Sequence, residues 1–436
     1  VNADDAASHN RGLHRLALLT AVATFPLIFM GGLVTSHDSG LSVPDWPNSY
    51  GYNMFLFPIS LWQGGIFYEH AHRLMGTVVG YAAVMLACWA WGAGRNPAVR
   101  RWLLGATVAC GVAALAIGIW LAVGHPGGTD KLMSRAAQGI VSFVGLGLVL
   151  FAAWMSRTRE PRRWVRWLCV GVLGTVIVQG MLGGLRVVLL KLDLAIVHAC
   201  LAQAFFCLVG LVVIVTSKWW TVAASQRDAD ATPVTNRSGR TLTRLAVLAW
   251  ALIYLQLIVG ATMRHYRAGL AIPDLPLAFG RVIPPTNPTD LQAAQVRMMP
   301  ADEWYHVDEH TLGQVWLAFG HRVGAVVVTV AILWLAAVAL RDARGRRGGL
   351  FAPTLVLLGL LIVQVTLGVL TVLMKKPADV ASAHVAVGAL VLLTTFVVAV
   401  RSMRLYAPVR ATDRARGFEP VRDGRPIPGG ASPAIG

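Results

Sequence analysis

The sequence predicts an all-α polytopic membrane protein of about ten transmembrane helices, built as two parallel four-helix-bundle repeats plus an inserted helical hairpin. Three observations predict it: an extreme apolar composition, basic charge confined to alternate linkers, and an internal repeat. Of 436 residues, 56% are hydrophobic and 14% charged, too apolar for a soluble chain of this size. The formal net charge of +17 sits in short runs between apolar segments, where it sets orientation in a membrane. That distribution argues against nucleic acid as a partner.

A helical span needs about 20 mostly apolar residues. By this measure the spans run over 13–36, 66–92, 101–124, 132–156, 165–187, 193–217, 243–263, 312–340, 350–373 and 379–403. The first is long and leads into a Gly-rich turn without a small-residue cleavage site, so it is expected to be a true span and not a signal peptide. The chain opens on Val1, which suggests a trimmed or partial N-terminus.

With ten spans, the linkers "GAGRNPAVRR", "SRTREPRRWVR", 218–242, "RDARGRRGG" and the tail all fall on one side, and all are basic. That side is expected to be cytoplasmic, with both termini there. The opposite side holds the long loops 37–65 and 264–311. The domains expected are an N-terminal half over 13–217 with the hairpin 101–156 inside it, a cytoplasmic linker 218–242, a C-terminal half over 243–403, and a disordered tail over 404–436. Cys88, Cys110, Cys169, Cys200 and Cys207 all lie in apolar segments without CxxC or CxxCH spacing, which supports neither zinc, covalent haem nor a disulfide framework.

"GGLVTSHDSGLSVPDWPNSYG" (31–51) returns as "VGATMRHYRAGLAIPDLPLAFG" (259–280), pairing Gly32 with Gly260, His37 with His265, Asp45 with Asp274 and Gly51 with Gly280. "HRLMGTVV" (72–79) returns as "HRVGAVVV" (321–328), and "VQGMLGGLRVVLL" with His198 returns as "VQVTLGVLTVLM" with His384. Four spans per half make the copies parallel. Segment 101–156 has no counterpart.

Each half therefore carries two intramembrane histidines, His72 with His198 and His321 with His384, roughly 8–15 Å inside the same face at the helical rise. Facing imidazoles at one depth suit haem axial ligation; a non-haem metal site and structural pairing between helices are the alternatives. The halves differ one turn from His72: Glu69 stands where the second copy has Ala318. A carboxyl at that spacing shares the histidine's helical face and can serve acid–base chemistry, or simply pair with Arg73 at i, i+4. His70 points about 200° away from His72. His306 and His310 have i, i+4 spacing but lie at the wet end of a span. Arg73, Arg322, Arg186, Arg264 and Arg267 lie near the same ends and can pair with haem propionates or snorkel to the interface. The two PDxP stretches, with stiff prolines and an Asp able to bond backbone amides, are expected to be rigid lids.

"GGLVTSHDSGLSVPDWP", "EHAHR" and "QGMLGGLRV…LAIVHACLAQAFF", with the weaker second copies "FGHR" and "QVTLGVLTVL…AHVAVGAL", resemble the heme A synthase family over most of 13–92 and 165–403. The resemblance implies a multi-pass enzyme of the prokaryotic cell membrane, an oxidoreductase that converts the C8 methyl of haem O to a formyl group with water as the oxygen source. It implies haem b as cofactor on His321 and His384, the substrate haem on His72 and His198, and Glu69 as the catalytic carboxylate. It further implies haem O delivered by a haem O synthase and an electron acceptor such as a quinone. Two departures stand out: neither long loop holds the cysteine pair of many relatives, and 101–156 is extra, expected to serve as a contact surface for another subunit or a second protomer. A non-enzymatic dihaem cytochrome linked to quinol, and a transporter on parallel repeats, are the rival readings.

Overall fold

A computed structural model describes residues 10–124, 130–156, 159–229, 233–298 and 310–406; of 121–124, 130–138, 224–229 and 233–238 the backbone alone is described. The helices are α1 (Arg11–Ser36), α2 (Gly65–Trp91), α3 (Pro97–Gly124), α4 (Asp130–Met155), α5 (Arg163–Leu189), α6 (Leu192–Thr216), α7 (Lys218–Ala229), α8 (Pro233–His265), α9 (Pro288–Met298), α10 (Leu312–Arg341), α11 (Ala343–Arg347), α12 (Phe351–Leu373) and α13 (Ala378–Tyr406). Among the described residues there are no strands, only isolated bridges at Ser49–Tyr52 and Ala278–Arg281.

Local chemistry sets the helix ends. The Asn10 side chain accepts from Leu13 N at 3.1 Å to start α1, and Thr311 with Gln314 forms a capping box at α10, which satisfies amides that an apolar environment cannot. Buried hydroxyls are satisfied inside their own helices, as where Thr24 Oγ1 donates to Thr20 O at 2.7 Å and Thr395 Oγ1 to Val391 O at 2.8 Å. Nine helices are long and apolar enough to span a membrane, counted over the described residues. The expected span 132–156 falls on α4, whose first residues lie outside the described side chains; the remainder, Gly139–Met155, is apolar but shorter.

Helices α1, α2, α5 and α6 pack as one ring of four, and α8, α10, α12 and α13 as another. The rings meet where α1 and α6 contact α13 and where α6 contacts α8. Lipid removes the hydrophobic drive for such contacts, so close packing of small residues supplies them: Gly32 lies against Ser382, and Gly210 against Leu393. Hairpin α3–α4 docks on the outside of α2 through α4, with Gly145 against the Tyr81 ring.

Two boundaries differ from expectation. Helix α8 begins at Pro233, inside the expected linker 218–242, which also contains α7. Residues 404–406, expected to belong to a disordered tail, continue α13: Leu405 and Tyr406 are buried, with Arg344 5.3 Å from the Tyr406 ring and the Tyr406 hydroxyl donating to Asp342. Tertiary partners extend the helix beyond its apolar stretch. The rest of the expected tail, 407–436, lies outside the described residues. At the end remote from the histidines, Arg166, Arg401 and Arg404 lie 4.9, 4.8 and 4.5 Å from the rings of Trp91, Trp219 and Trp220, the pairing of cation and amphipathic ring that suits a membrane interface.

Candidate functional site

His72 and His198 enter from α2 and α6, and His321 and His384 from α10 and α13, each within the first ten residues of its helix. The structure brings each pair together: ring centroids are 6.5 Å apart in both halves, with interplanar angles of 83° and 72°. A metal–imidazole bond of about 2.0–2.1 Å on each side, plus roughly 1.2 Å from nitrogen to ring centre, gives a separation of about 6.5 Å. One metal atom therefore fits between the rings of each pair.

Hydrogen bonds select the tautomer of two of these rings. His198 Nδ1 lies 3.2 Å from Gln179 O and His384 Nδ1 3.2 Å from Gln364 O. A carbonyl can only accept, so Nδ1 carries the proton and Nε2 keeps the lone pair a metal requires. Gln179 Nε2 also donates to His198 O at 3.0 Å, and Gln256 Nε2 to His321 O at 2.7 Å.

Sequence reasoning missed the glycines behind the rings. A Cβ at Gly31, Gly183, Gly260 or Gly368 would lie 3.1, 3.3, 3.0 and 3.0 Å from Cε1 of His72, His198, His321 and His384 respectively. Each imidazole thus occupies a cradle that any side chain would narrow. The repeat held the signal, but it paired Gly32 with Gly260. In the structure Gly31 takes the place opposite His72, while Gly32 faces Ser382; Gly31 and Gly260 are 229 residues apart, the same offset as Asp45–Asp274 and Gly51–Gly280, so the two stretches align without an insertion.

Glu69 is buried, 4% exposed. Its Oε1 accepts from Arg73 at 2.9 Å and its Oε2 from Val43 N at 2.8 Å, so the ion pair read from the i, i+4 spacing forms and the carboxylate is held in one orientation. Its C-terminal counterpart, Ala318, is also buried and offers no polar group.

Arg73 Nη1 donates to Asp45 O and Asn48 O, and Nη2 to Val43 O, at 2.7, 3.0 and 2.8 Å. Arg322 repeats the pattern on Asp274 O, Leu277 O and Ile272 O at 2.8, 2.9 and 2.8 Å. The expectation offered both arginines to haem propionates. Their Nη1 and Nη2 groups are turned onto loop carbonyls, so both arginines hold the loops in place. Replacing Arg322 by Leu is expected to destabilise the protein by about 3 kcal/mol or more, since a cation–carbonyl bond contributes roughly 1.5–3 kcal/mol. Arg322→Lys should recover little, because a point ammonium cannot fork across three carbonyls. Thermal unfolding in detergent reads both, and an unchanged midpoint would remove the loop-holding role.

The PDxP loops are tied from within as well. Asp45 accepts from Tyr50 N and Gly51 N at 2.7 and 2.8 Å, and Asp274 from Phe279 N and Gly280 N at the same distances. Gly51 and Gly280 have φ of +79° and +73°, a conformation that strains any L side chain. Both aspartates therefore act within their turns. His70 is fully buried beneath the first loop, with Ser49 Oγ 3.1 Å from its Nδ1 and the Phe57 and Trp62 rings at 4.9 and 4.6 Å. His310 accepts from Gln295 through its carbonyl at 3.0 Å; His306 lies outside the described residues.

Arg186 donates to Gly40 O at 2.8 Å. Arg264 reaches out of its own bundle to α1, bonding Gly32 O and Ser36 Oγ. Arg267 is 3.6 Å from Asp38, both well exposed. Arg186 and Arg264, with Glu69 and all four histidines, line one continuous cavity of about 1000 Å³ that runs through both bundles.

Among the described residues no group of three or more His, Cys, Asp or Glu could hold a metal ion. Two imidazoles per site fit a ligand that brings its remaining donors with it, as a tetrapyrrole does. The family model for cytochrome oxidase assembly proteins, COX15-CtaA, matches residues 14–125 and 135–397. The chain belongs to the COX15-CtaA family. Its apolar helices make it a multi-pass membrane protein of that family. It is 35% identical to Heme A synthase of Rhodopseudomonas palustris (strain HaA2) over 210 residues, 48% of this chain and 50% of that protein. Over longer stretches it is 24% identical to Heme A synthase of Shewanella oneidensis, covering 87% of this chain and 93% of that one, and 26% identical to that of Allorhizobium ampelinum, covering 89% and 90%. In the matches of higher identity the chain spans about half the length of the relative.

Proposed function

We propose that this chain is a haem A synthase, an oxidoreductase that converts the C8 methyl of haem O to a formyl group. The observation that carries the reading is the asymmetry between two otherwise equivalent histidine pairs: a buried, oriented carboxylate, Glu69, stands beside one and Ala318 beside the other. His321 and His384 would hold a resident haem b, which supplies one-electron transfer when bound. His72 and His198 would receive haem O as substrate.

The overall change takes a methyl through a hydroxymethyl to a formyl group. Each two-electron oxidation adds a hydroxyl from water and releases two protons, and loss of one water from the resulting diol leaves the aldehyde. Two acceptor turnovers of the quinone class would balance the four electrons. Glu69 would stabilise positive charge developing at the substrate methyl and take up a proton in an apolar surrounding, where both effects exceed their value in water. Arg73 and Val43 N hold that carboxylate, and Arg73 is itself fixed by three carbonyls, so the group meets substrate already oriented. Trp46 lies against Gly184 at the cavity edge, where the first PDxP loop limits access of water. Arg186 and Arg264 supply positive charge at the cavity wall for substrate carboxylates.

The experiment is extraction of pigment after expression with a supply of haem O. Haem A should appear, and its absence from a haem-loaded protein would leave the dihaem cytochrome reading in its place. A separate check uses the glycine cradles. Gly260→Val or Gly368→Val, by pushing branched methyls into a ring whose Cε1 is already 3.0 Å from the Cβ position, should lower resident haem content about tenfold or more. Full haem content in either variant would show that the cradle is not needed.

A further inference from the structure

The two halves of the cavity are lined by equivalent positions, yet three of those positions carry glycine in the N-terminal half alone. Offsets of 249 on α2 and 185 on α5, which bring His72 onto His321 and Gln179 onto Gln364, place Gly76, Gly80 and Gly180 opposite Ala325, Thr329 and Val365. All six line the cavity. A Cβ at Gly76, Gly80 or Gly180 would meet no atom within 4 Å. These glycines are therefore not close-packing contacts of the kind made by Gly31 or Gly183: they leave open space where the C-terminal half has side chains. The space lies between α2 and α5, with Leu173, Val176 and Ile177 on its wall. Ile177 is 54% exposed, so the wall reaches the lateral surface of the bundle. Tyr81 closes the other edge, backed by Gly145 of the inserted hairpin, whereas its counterpart Val330 is 58% exposed and unbacked by any hairpin.

A second, polar difference lies in the same half. The offset of 186 that brings His198 onto His384 places Gln203 opposite Ala389. Gln203 lines the cavity, is 6% exposed, and its Oε1 is buried without a hydrogen-bond partner. A buried amide oxygen left in this way costs free energy unless a ligand donates to it.

We propose that the groove between α2 and α5 is a subsite for the isoprenoid chain of the substrate haem, with Gln203 accepting a hydrogen bond from the hydroxyl at the root of that chain. This rests on the haem A synthase reading. Haem O differs from protohaem by a hydroxyalkyl isoprenoid chain in place of one vinyl group, so its site needs extra apolar volume, a lateral outlet toward lipid, and one buried acceptor. The N-terminal half has all three. The C-terminal half carries Ala325, Thr329 and Val365 at the same positions and Ala389 in place of Gln203, which fits a haem without the chain; the buried amide oxygens of Gln179 and Gln364 are common to both halves and do not distinguish them. The subsite thereby assigns substrate and resident haem to their halves by size and polarity, independently of Glu69.

The test is a difference-spectrum titration of haem O and of protohaem into the full chain in detergent, with its resident haem in place. The wild type should bind haem O more tightly than protohaem. Gly80→Thr with Gly180→Val, which writes the C-terminal residues into the N-terminal groove, should weaken haem O about tenfold or more and leave protohaem within about twofold. Gln203→Leu should weaken haem O alone by a smaller factor. Undisturbed resident-haem absorbance in the variants reports an intact fold. Equal weakening of both ligands, or of neither, would overturn the subsite. Uptake of neither by the wild type would overturn the haem reading itself.

Discussion

Glu69→Gln is expected to abolish haem A formation, by roughly 10²–10⁴-fold as for loss of a positioned acid–base group, while both haem sites still load. Gln preserves the length and volume of the side chain and can still accept from Arg73. It loses the negative charge, and its amide nitrogen cannot accept from Val43 N as Oε2 does at 2.8 Å. Glu69→Ala removes one partner of Arg73 and the acceptor of Val43 N but leaves Arg73 on its three loop carbonyls, so it should lose turnover and loosen the first PDxP loop around Val43. Comparing the two separates charge from scaffold: pigment extraction gives product, and proteolysis of 43–52 gives loop order. Undiminished haem A from Glu69→Gln would end the catalytic assignment and favour an electron-transfer protein with two equivalent sites.

The second large effect concerns the histidines. His321→Ala or His384→Ala should leave the purified protein nearly free of resident haem, because each pair supplies only two ligands across 6.5 Å. Removing one leaves a single axial bond and a hole in the cradle. His72→Ala or His198→Ala should keep resident haem while product formation falls to background. Bound haem per protein, from absorption spectra of the four variants, decides the matter. Loss of the same haem from all four would contradict a division of labour between the halves.

Much of this was legible in the chain because the relevant physics is local. Length and apolarity of a span, basic linkers, and a histidine at a fixed distance into a helix do not depend on distant neighbours. The His72–Glu69 relation was equally accessible, since three residues on a helix share a face. Roles that depend on the partner across a helix pair were not accessible. Arg73 and Arg322 read as interfacial cations because nothing in the sequence says that three loop carbonyls converge on each. The helical angle says only that His70 points away from His72; that it is buried beneath the first loop against Ser49, Phe57 and Trp62 depends on that loop's fold. The glycine cradles were not legible either, because pairing His37 with His265 set Gly32, not Gly31, opposite Gly260.

By itself, the sequence determined the membrane class, the helix count to within one span, the repeat and the residues that differ between its copies. Each follows from hydrophobic length or from comparing one stretch with another. Only the tertiary structure decided that α6 and α13 lie at the seam between the bundles, that α4 packs on α2, that each imidazole sits against a glycine, and that Gly76, Gly80 and Gly180 face open space. The physical reason is the packing of helices in lipid. Apolar surface does not choose its neighbour there, so steric fit and a few buried hydrogen bonds choose it, and both are properties of surfaces brought together from distant parts of the chain.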